Sequence, residues 1–414
     1  MQIKLTKQSL YYWGLFVYVL ALNIQGSYAH NMWVVSGSPF LKVVALLKDV
    51  AYLLCIAYFF NMKEITLKSV ILTLSFFFIS IYAVHTGPQR APLFYFVLII
   101  TGMNVNFKKC VKIFFLIQLT TFILYVTLGT LKIYGGDVID DEGRMRCFLG
   151  YGWVNRASYS WLFITLELLY LKKARFSFKL SALLAAVNYY VFIRTNTVFS
   201  MTVTMIIILY GLISYCFEKK SQKSFIVYLK KMLKTMNNKK SGSLEVVFFV
   251  FTIIIGAVLP IKYNHGDPVM YKLNKMVTGR LFLGKTAIER YGLHLGGNKL
   301  QWAGSSTMLF GLNDSNEYFY VDNGFLQMAL EFGVLYTGFI IFVYLASIKK
   351  ASRTYDKPLI SVILFLAVLY VFEPYVVDFA FNPFVLYYFS SKSGVNIKDW
   401  LFERLKIDKR KQIL

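Results

Sequence analysis

Arginine is the residue type whose placement in this sequence carries the most chemical meaning. Lysines outnumber arginines 34 to 11. Yet seven of the eleven arginines, Arg90, Arg144, Arg146, Arg156, Arg194, Arg280 and Arg290, fall in or beside connections that an alternating chain puts on one side. A lysine ammonium serves as a point charge, whereas a guanidinium is a rigid fork that stays protonated and grips phosphate oxygens in pairs. Arginines gathered at one surface therefore point to an anionic, phosphate-bearing ligand. Arg156 lies about two turns into an apolar run and Arg194 lies between two such runs. Ionisable groups at such depth are candidate functional residues, the bland alternative being outward snorkelling. Arg280 and Arg290 on one helix would differ by about 80° in azimuth and about 15 Å in height, so they would touch different parts of a long ligand. Group transfer from a phosphate leaving group also needs a base for the incoming hydroxyl. His294, Glu289 and Asp322 are the candidates, although Gly292 stands where it would end the helix before His294.

Other chemistry finds less footing. No GxxxxGK[ST] sequence is present, so no P-loop is expected. The cysteines Cys55, Cys110, Cys147 and Cys216 form no CxxC, and the four histidines are scattered, so neither a disulfide pair nor a structural zinc site is expected. Asp137, Asp140, Asp141 and Glu142 have the composition of a cation loop but read more simply as a solvated acidic turn. No metal and no cofactor are expected.

The elements that must position these residues are apolar helices. Of the 414 residues, 57% are hydrophobic and 16% charged, against about 25% charged in an ordinary soluble protein. Mean hydropathy is +0.54. The expected fold class is an all-α membrane protein. A crossing takes about 20 mostly apolar residues, and twelve candidate spans are legible: 10–24, 40–60, 66–83, 91–103, 111–134, 150–171, 178–193, 198–217, 244–260, 323–346, 358–372 and 375–389. The first reads as an uncleaved helix rather than a signal peptide, and 178–217 is divided at Arg194-Thr195-Asn196-Thr197. With both termini cytoplasmic, the inner segments and adjoining span ends hold 30 Lys and Arg, and the short outer connections hold four, a strong positive-inside asymmetry. The net charge of +24 is thus assigned to an anionic membrane leaflet and not to nucleic acid. Residues 225–236 and 400–405 read as basic amphipathic helices on the inner surface.

This gives four regions: spans one to nine over 1–260, an outer connection over 261–322, spans ten to twelve over 323–390, and a basic cytoplasmic tail over 391–414. Connections longer than about 15 residues usually do something. The one at 261–322 has apolar residues at helical spacing, Tyr271, Leu273, Met276 and Val277, then Leu281, Leu283, Ala287, Ile288 and Tyr291, so it is expected to form one or two helices capping the outer face.

At these residues the sequence resembles a known family. Thr278-Gly279-Arg280-Leu281, Gly284, Ala287, Tyr291-Gly292, Gly296, then Tyr320-Val321-Asp322-Asn323-Gly324-Phe325-Leu326 and Gly333 resemble the large outer loop of the Wzy-type polysaccharide polymerases, relatives of the O-antigen ligases. Arg146-Cys147-Phe148-Leu149-Gly150-Tyr151 with Asn155, and Arg194-Thr195, resemble two further features of that family. Val154 and Ile193 stand where the family pattern has Pro and Ser. The resemblance implies a glycosyltransferase in the bacterial plasma membrane that polymerises undecaprenyl-diphosphate-linked repeat units, for O-antigen or capsule, without nucleotide. It implies partnership with membrane lipids, with a flippase and chain-length regulator as further candidates. On this reading Arg194, Arg280 and Arg290 contact the diphosphate and transition state, with Arg146, Arg156 and Asn155 as further substrate contacts. His294 is a candidate base, and Asp322 and Asn323 are further candidate substrate-binding residues, with the alternative that they fix the loop's return into the membrane. The rivals are a ligase using another acceptor, a lipid-linked oligosaccharide flippase or transporter, and, more remotely, a membrane acyltransferase.

Overall fold

The computed structural model describes residues 7–60, 67–87, 89–139, 143–219, 243–300, 302–304, 318–376 and 378–390. The basic stretches at 225–236 and 400–405, and the tail, lie outside the described residues. Among the described residues the chain forms fifteen α-helices. They are α1 (Lys7–Gln25), α2 (Tyr28–Val35), α3 (Phe40–Phe59), α4 (Leu67–Thr86), α5 (Ala91–Thr101), α6 (Phe107–Thr130), α7 (Arg156–Leu171), α8 (Phe178–Thr195), α9 (Val198–Lys219), α10 (Ser243–Lys262), α11 (Pro268–Met276), α12 (Arg280–Tyr291), α13 (Gly324–Phe332), α14 (Val334–Arg353) and α15 (Lys357–Phe372). Four of them contain stretches long and apolar enough to cross a membrane: Phe107–Thr130, Val198–Phe217, Ser243–Lys262 and Val334–Arg353. Side chains such as Leu53, Phe78, Ile123, Val247 and Phe251 are more than half exposed along α3, α4, α6 and α10, the surface an apolar solvent would cover.

Helix starts follow their caps. The Asn106 side chain accepts from Lys109 N, so α6 begins ahead of the expected residue 111 and takes in Cys110. Ser177 caps α8, Asp267 caps α11, Asn323 caps α13 and Asp356 caps α15. Breaks follow left-handed backbone. Asn196 (φ 50°) separates α8 from α9, and Thr278 (φ 51°) and Gly279 (φ 81°) separate α11 from α12.

The described residues are mostly helical, as an all-α membrane protein requires, with one small hairpin in which β1 (Asp137–Ile139) pairs antiparallel with β2 (Met145–Cys147), Val138 opposite Arg146. Two expectations need correction. The span expected over 323–346 is broken at Gly333 (φ 91°) into α13 and α14. The carbonyls of His294 and Leu295 accept from the first amides of α14, Val334 N (2.9 Å) and Leu335 N (3.2 Å), so the loop supplies acceptors that an unbroken helix would have provided. The span expected over 375–389 is no regular α-helix. Asp378 accepts from Ala380 N (2.8 Å), Asn382 Nδ2 donates to Val376 O and to the Tyr370 hydroxyl (both 2.6 Å), and a short 3₁₀ turn covers Phe384–Leu386. Phe379, Phe381, Phe384 and Leu386 are fully buried. An irregular segment tolerates an apolar setting only when protein satisfies its backbone, as here.

One end of the helix assembly gathers the C-terminal ends of α1, α4, α6, α8, α10 and α15 with the N-terminal ends of α7 and α13. The turn Leu149-Gly150 is seated on the last turns of α6. A Cβ on Gly150 would lie 2.3 Å from Tyr125 O, at a φ of +76°. Gly150→Ala should therefore cost about 1–3 kcal/mol or more. Gly338→Ala, inside α14 with open space around it, should be neutral or gain about 0.5–1 kcal/mol. Thermal unfolding of the two variants in detergent checks the contrast, and equal melting temperatures would contradict it.

Candidate functional site

Arg280 opens α12, immediately after the left-handed Gly279. Gly284, one turn on, lets α12 lie against α10 and α13, since a Cβ there would meet Pro260 at 2.9 Å and Leu326 at 3.2 Å. Asn323 fixes the start of α13 in the same place. Its Nδ2 donates to Gly256 O (3.0 Å) and Val371 O (3.2 Å), while its Oδ1 accepts from Leu326 N (2.9 Å). Asp322, the preceding residue, is thereby held beside Arg280, and Glu373, one residue past the end of α15, is held on its other side.

The resulting cluster joins four elements. Arg280 Nε lies 3.5 Å from Asp322 Oδ2, and Nη2 lies 3.3 Å from Glu373 Oε1. The Tyr159 hydroxyl, from α7, donates to the same Glu373 oxygen. Arg280 Nη1 donates to Thr278 Oγ1 (2.6 Å). The Glu373 side chain is only 4% exposed. Burial, reinforced by the neighbouring Asp322 charge, pushes its carboxyl up to about 8 against the opposing pull of Arg280 and Tyr159. Burial likewise raises Asp322, with Arg280 opposing. Glu373 and Tyr159 were not among the residues singled out from sequence. The available signal was a lone carboxylate, Glu373-Pro374, between two apolar runs.

A second cluster forms at the break between α8 and α9. Arg146 Nε donates to Thr195 O (2.8 Å), and its Nη2 to Asn155 Oδ1 and to Thr197 Oγ1 (3.3 Å). Thr197 Oγ1 also donates to Asn155 Oδ1 (3.0 Å), and Ser158 and Thr195 share a hydrogen bond of 2.8 Å. Arg194 Nη2 lies 3.7 Å from Asp137 Oδ1 and 3.6 Å from Cys147 Sγ. Arg146, Asn155 and Arg194 are thus brought together. Arg146 and Asn155 serve there to brace the chain break, and Asp137 pairs with Arg194 and Lys132.

Arg156 takes a third position. Its guanidinium lies 4.8 Å from the centre of the Phe381 ring, in space left by Gly26, where a Cβ would fall 2.1 Å from Arg156 Nε. Its charge acts on Asp378. Tyr159, one turn further along α7, stacks obliquely on Tyr375 (ring centres 5.0 Å apart) and reaches Glu373.

Arg290 and His294 stand apart from the Arg280 cluster. Arg290 is exposed, over the Phe319 ring at 4.7 Å. Gly292 (φ 72°) ends α12 before His294. His294 is exposed, with Nε2 2.9 Å from Tyr291 O, and its carbonyl caps α14. Glu289 is exposed and pairs with Lys285 at 3.6 Å. The carboxylates that face Arg280 are therefore Asp322, which was expected in the site, and Glu373, which was not.

Among the described residues no group of three or more His, Cys, Asp or Glu is arranged to hold a metal ion. No protein-family model, curated protein or solved structure matches the chain.

Replacing Arg280 by Met would leave two buried carboxyls facing each other. A carboxyl whose folded value is raised above its unfolded value makes stability fall as pH rises from the unfolded value to the folded one, and the loss stops there. For the native chain Glu373's loss ends near pH 8. In Arg280→Met it should continue to higher pH, so the variant's melting temperature should fall more steeply than the native one between pH 7 and 9. Parallel curves would show that Arg280 does not compensate Glu373.

Proposed function

We propose that this protein is a glycan polymerase of the Wzy type, joining lipid-diphosphate-linked saccharides at the outer face of a bacterial plasma membrane. The observation that carries the reading is the placing of Arg280 against a buried carboxyl, Glu373, where α12, α13 and α15 meet. Arg280 meets Asp322 without a well-aligned hydrogen bond, its Nε being buried and unpaired among the described residues. A phosphate oxygen that took the place of Asp322 at that Nε would make the stronger, paired contact. Arg194 and Arg156, at the same end of the helices, add positive charge for a diphosphate-bearing lipid.

In the proposed reaction an acceptor hydroxyl gives its proton to Glu373, and its oxygen bonds to the anomeric carbon of the donor. The bond from that carbon to the diphosphate oxygen breaks, and the lipid diphosphate leaves with the electron pair beside Arg280. A carboxyl pushed up to about 8 is suited to take up and return a proton near neutral pH. Glu373 replaces His294 as the candidate base, because His294 lies on the exposed turn after α12.

Two measurements test this. Arg280→Ala should slow transfer by about a hundredfold or more and shift surface glycan from long chains to single repeats at unchanged protein level; unaltered chain length would refute the assignment. With purified protein, lipid-linked repeat units and no nucleotide, kcat/KM should rise with pH through a limb near 8, and Glu373→Gln should both slow transfer and remove the limb. A limb that survives in the variant belongs to another group.

A further inference from the structure

Next to the Arg280 cluster lies a cavity of about 250 Å³ whose chemistry is the opposite of an anion site. Trp302, Tyr320, Gln327, Glu331, Tyr375 and Asp378 are in its wall, and none of its described lining residues is Lys or Arg. The cavity and the cluster share two chain segments, since Tyr320 is two residues before Asp322 and Tyr375 two residues after Glu373. The wall is built rather than incidental. Trp302 Nε1 donates to Glu331 Oε1, and the Trp302 ring stacks on Phe319 with centres 5.6 Å apart. Gly324 brings α13 against residues 373–376, where a Cβ would lie 2.6 Å from Val376 Cγ2 and 2.7 Å from Glu373 O.

We propose that this cavity seats one sugar ring of the acceptor, and that it accepts neutral and amino sugars while rejecting uronic acids. The setting rests on the glycan-transfer reading; the binding claim rests on the wall. Aromatic rings offer apolar faces to the C–H face of a pyranose, with a few polar groups to fix its orientation. Two carboxyl groups and a carboxamide offer acceptors for sugar hydroxyls and for an ammonium group. A sugar carboxylate would meet Glu331 and Asp378 directly, whereas the one cation shown to act on this wall among the described residues, Arg156, stands outside the lining and already faces Asp378. The volume, just below the range of about 300–1,000 Å³ for ligand pockets, suits a single ring rather than an oligosaccharide.

The test is saturation-transfer NMR on the purified full-length protein in detergent. The probes are methyl glycosides of gluco, galacto and manno configuration, each as the neutral sugar, the 2-amino sugar and the uronate. At least one configuration should bind as neutral and amino sugar, and its uronate should bind about tenfold more weakly or not at all. Glu331→Gln combined with Asp378→Asn, which keeps shape and removes charge, should reduce that discrimination about tenfold. Trp302→Ala should abolish binding, and Trp302→Phe, which keeps a ring, should retain it. Binding of no member of the panel, uronates bound as well as neutral sugars, or selectivity unchanged in the double variant would each overturn the proposal. Selective binding by a protein that never transfers from lipid-linked donors would leave the cavity assignment standing and remove the polymerase reading. Transfer activity without charge selectivity would do the reverse.

Discussion

The arrangement at this end of the molecule depends on the reach of one guanidinium. Arg280 meets Asp322 and Glu373, the latter 93 residues away in the chain, and so ties α12 to the start of α13 and the end of α15. The helix that carries it is held besides by its buried Leu281, Gly284 and Ala287 and by the Asn274 side chain, which accepts from Leu281 N and Phe282 N. A buried ion pair adds little net stability, because desolvation offsets the attraction, yet removing one partner leaves the other charged and unpaired at high cost. Such a contact specifies position more than it stabilises. The contacts at 3.3 and 3.5 Å are looser than the 2.7–2.9 Å typical of paired guanidinium–carboxylate bonds.

The arginines on this side are one set by composition and three by environment. Arg146 spends its donors on Thr195, Asn155 and Thr197, which makes it a brace for the reversal between α8 and α9. Arg156 rests on Phe381 in a space that Gly26 leaves open, and Arg290 rests on Phe319 at the surface. Arg280 alone among them is placed against a carboxyl that is almost wholly buried. Counting guanidinium groups locates the side on which anion chemistry is plausible. What separates a binding group from a structural one is whether the neighbourhood already consumes its hydrogens.

That distinction also marks how far the residues could be read before their positions were known. Helix locations were legible because apolar runs and caps are local: Asn196 does divide 178–217, and the described residues of the 261–322 connection carry two helices, interrupted at Thr278-Gly279. The break at Gly333 was not legible, because it depends on carbonyls from His294 and Leu295 arriving from another segment. Residues 375–389 read as a helix in sequence because apolar content records burial and not backbone shape. Here Asn382 and its tyrosine partners satisfy an irregular chain. Arg280 and Asp322 were recognisable from their neighbours in sequence. Glu373 is not recognisable in this way, because nothing in its local sequence says that a cation from a distant loop will stand beside it.

Taken together, the acidic cavity and the basic anchor give Glu373 a particular position, at the boundary between a wall that repels anions and a guanidinium that attracts them. In the proposed reaction, negative charge accumulates on the departing diphosphate as the acceptor hydroxyl loses its proton. A growing negative charge near a carboxylate raises its affinity for a proton, so the base strengthens as the bond to the leaving group weakens. Arg280 bears on both events, stabilising the charge that leaves and moderating how tightly Glu373 keeps the proton it gains. A base held far from the anchor, as His294 is on its exposed turn, would take up a proton without sensing the leaving group.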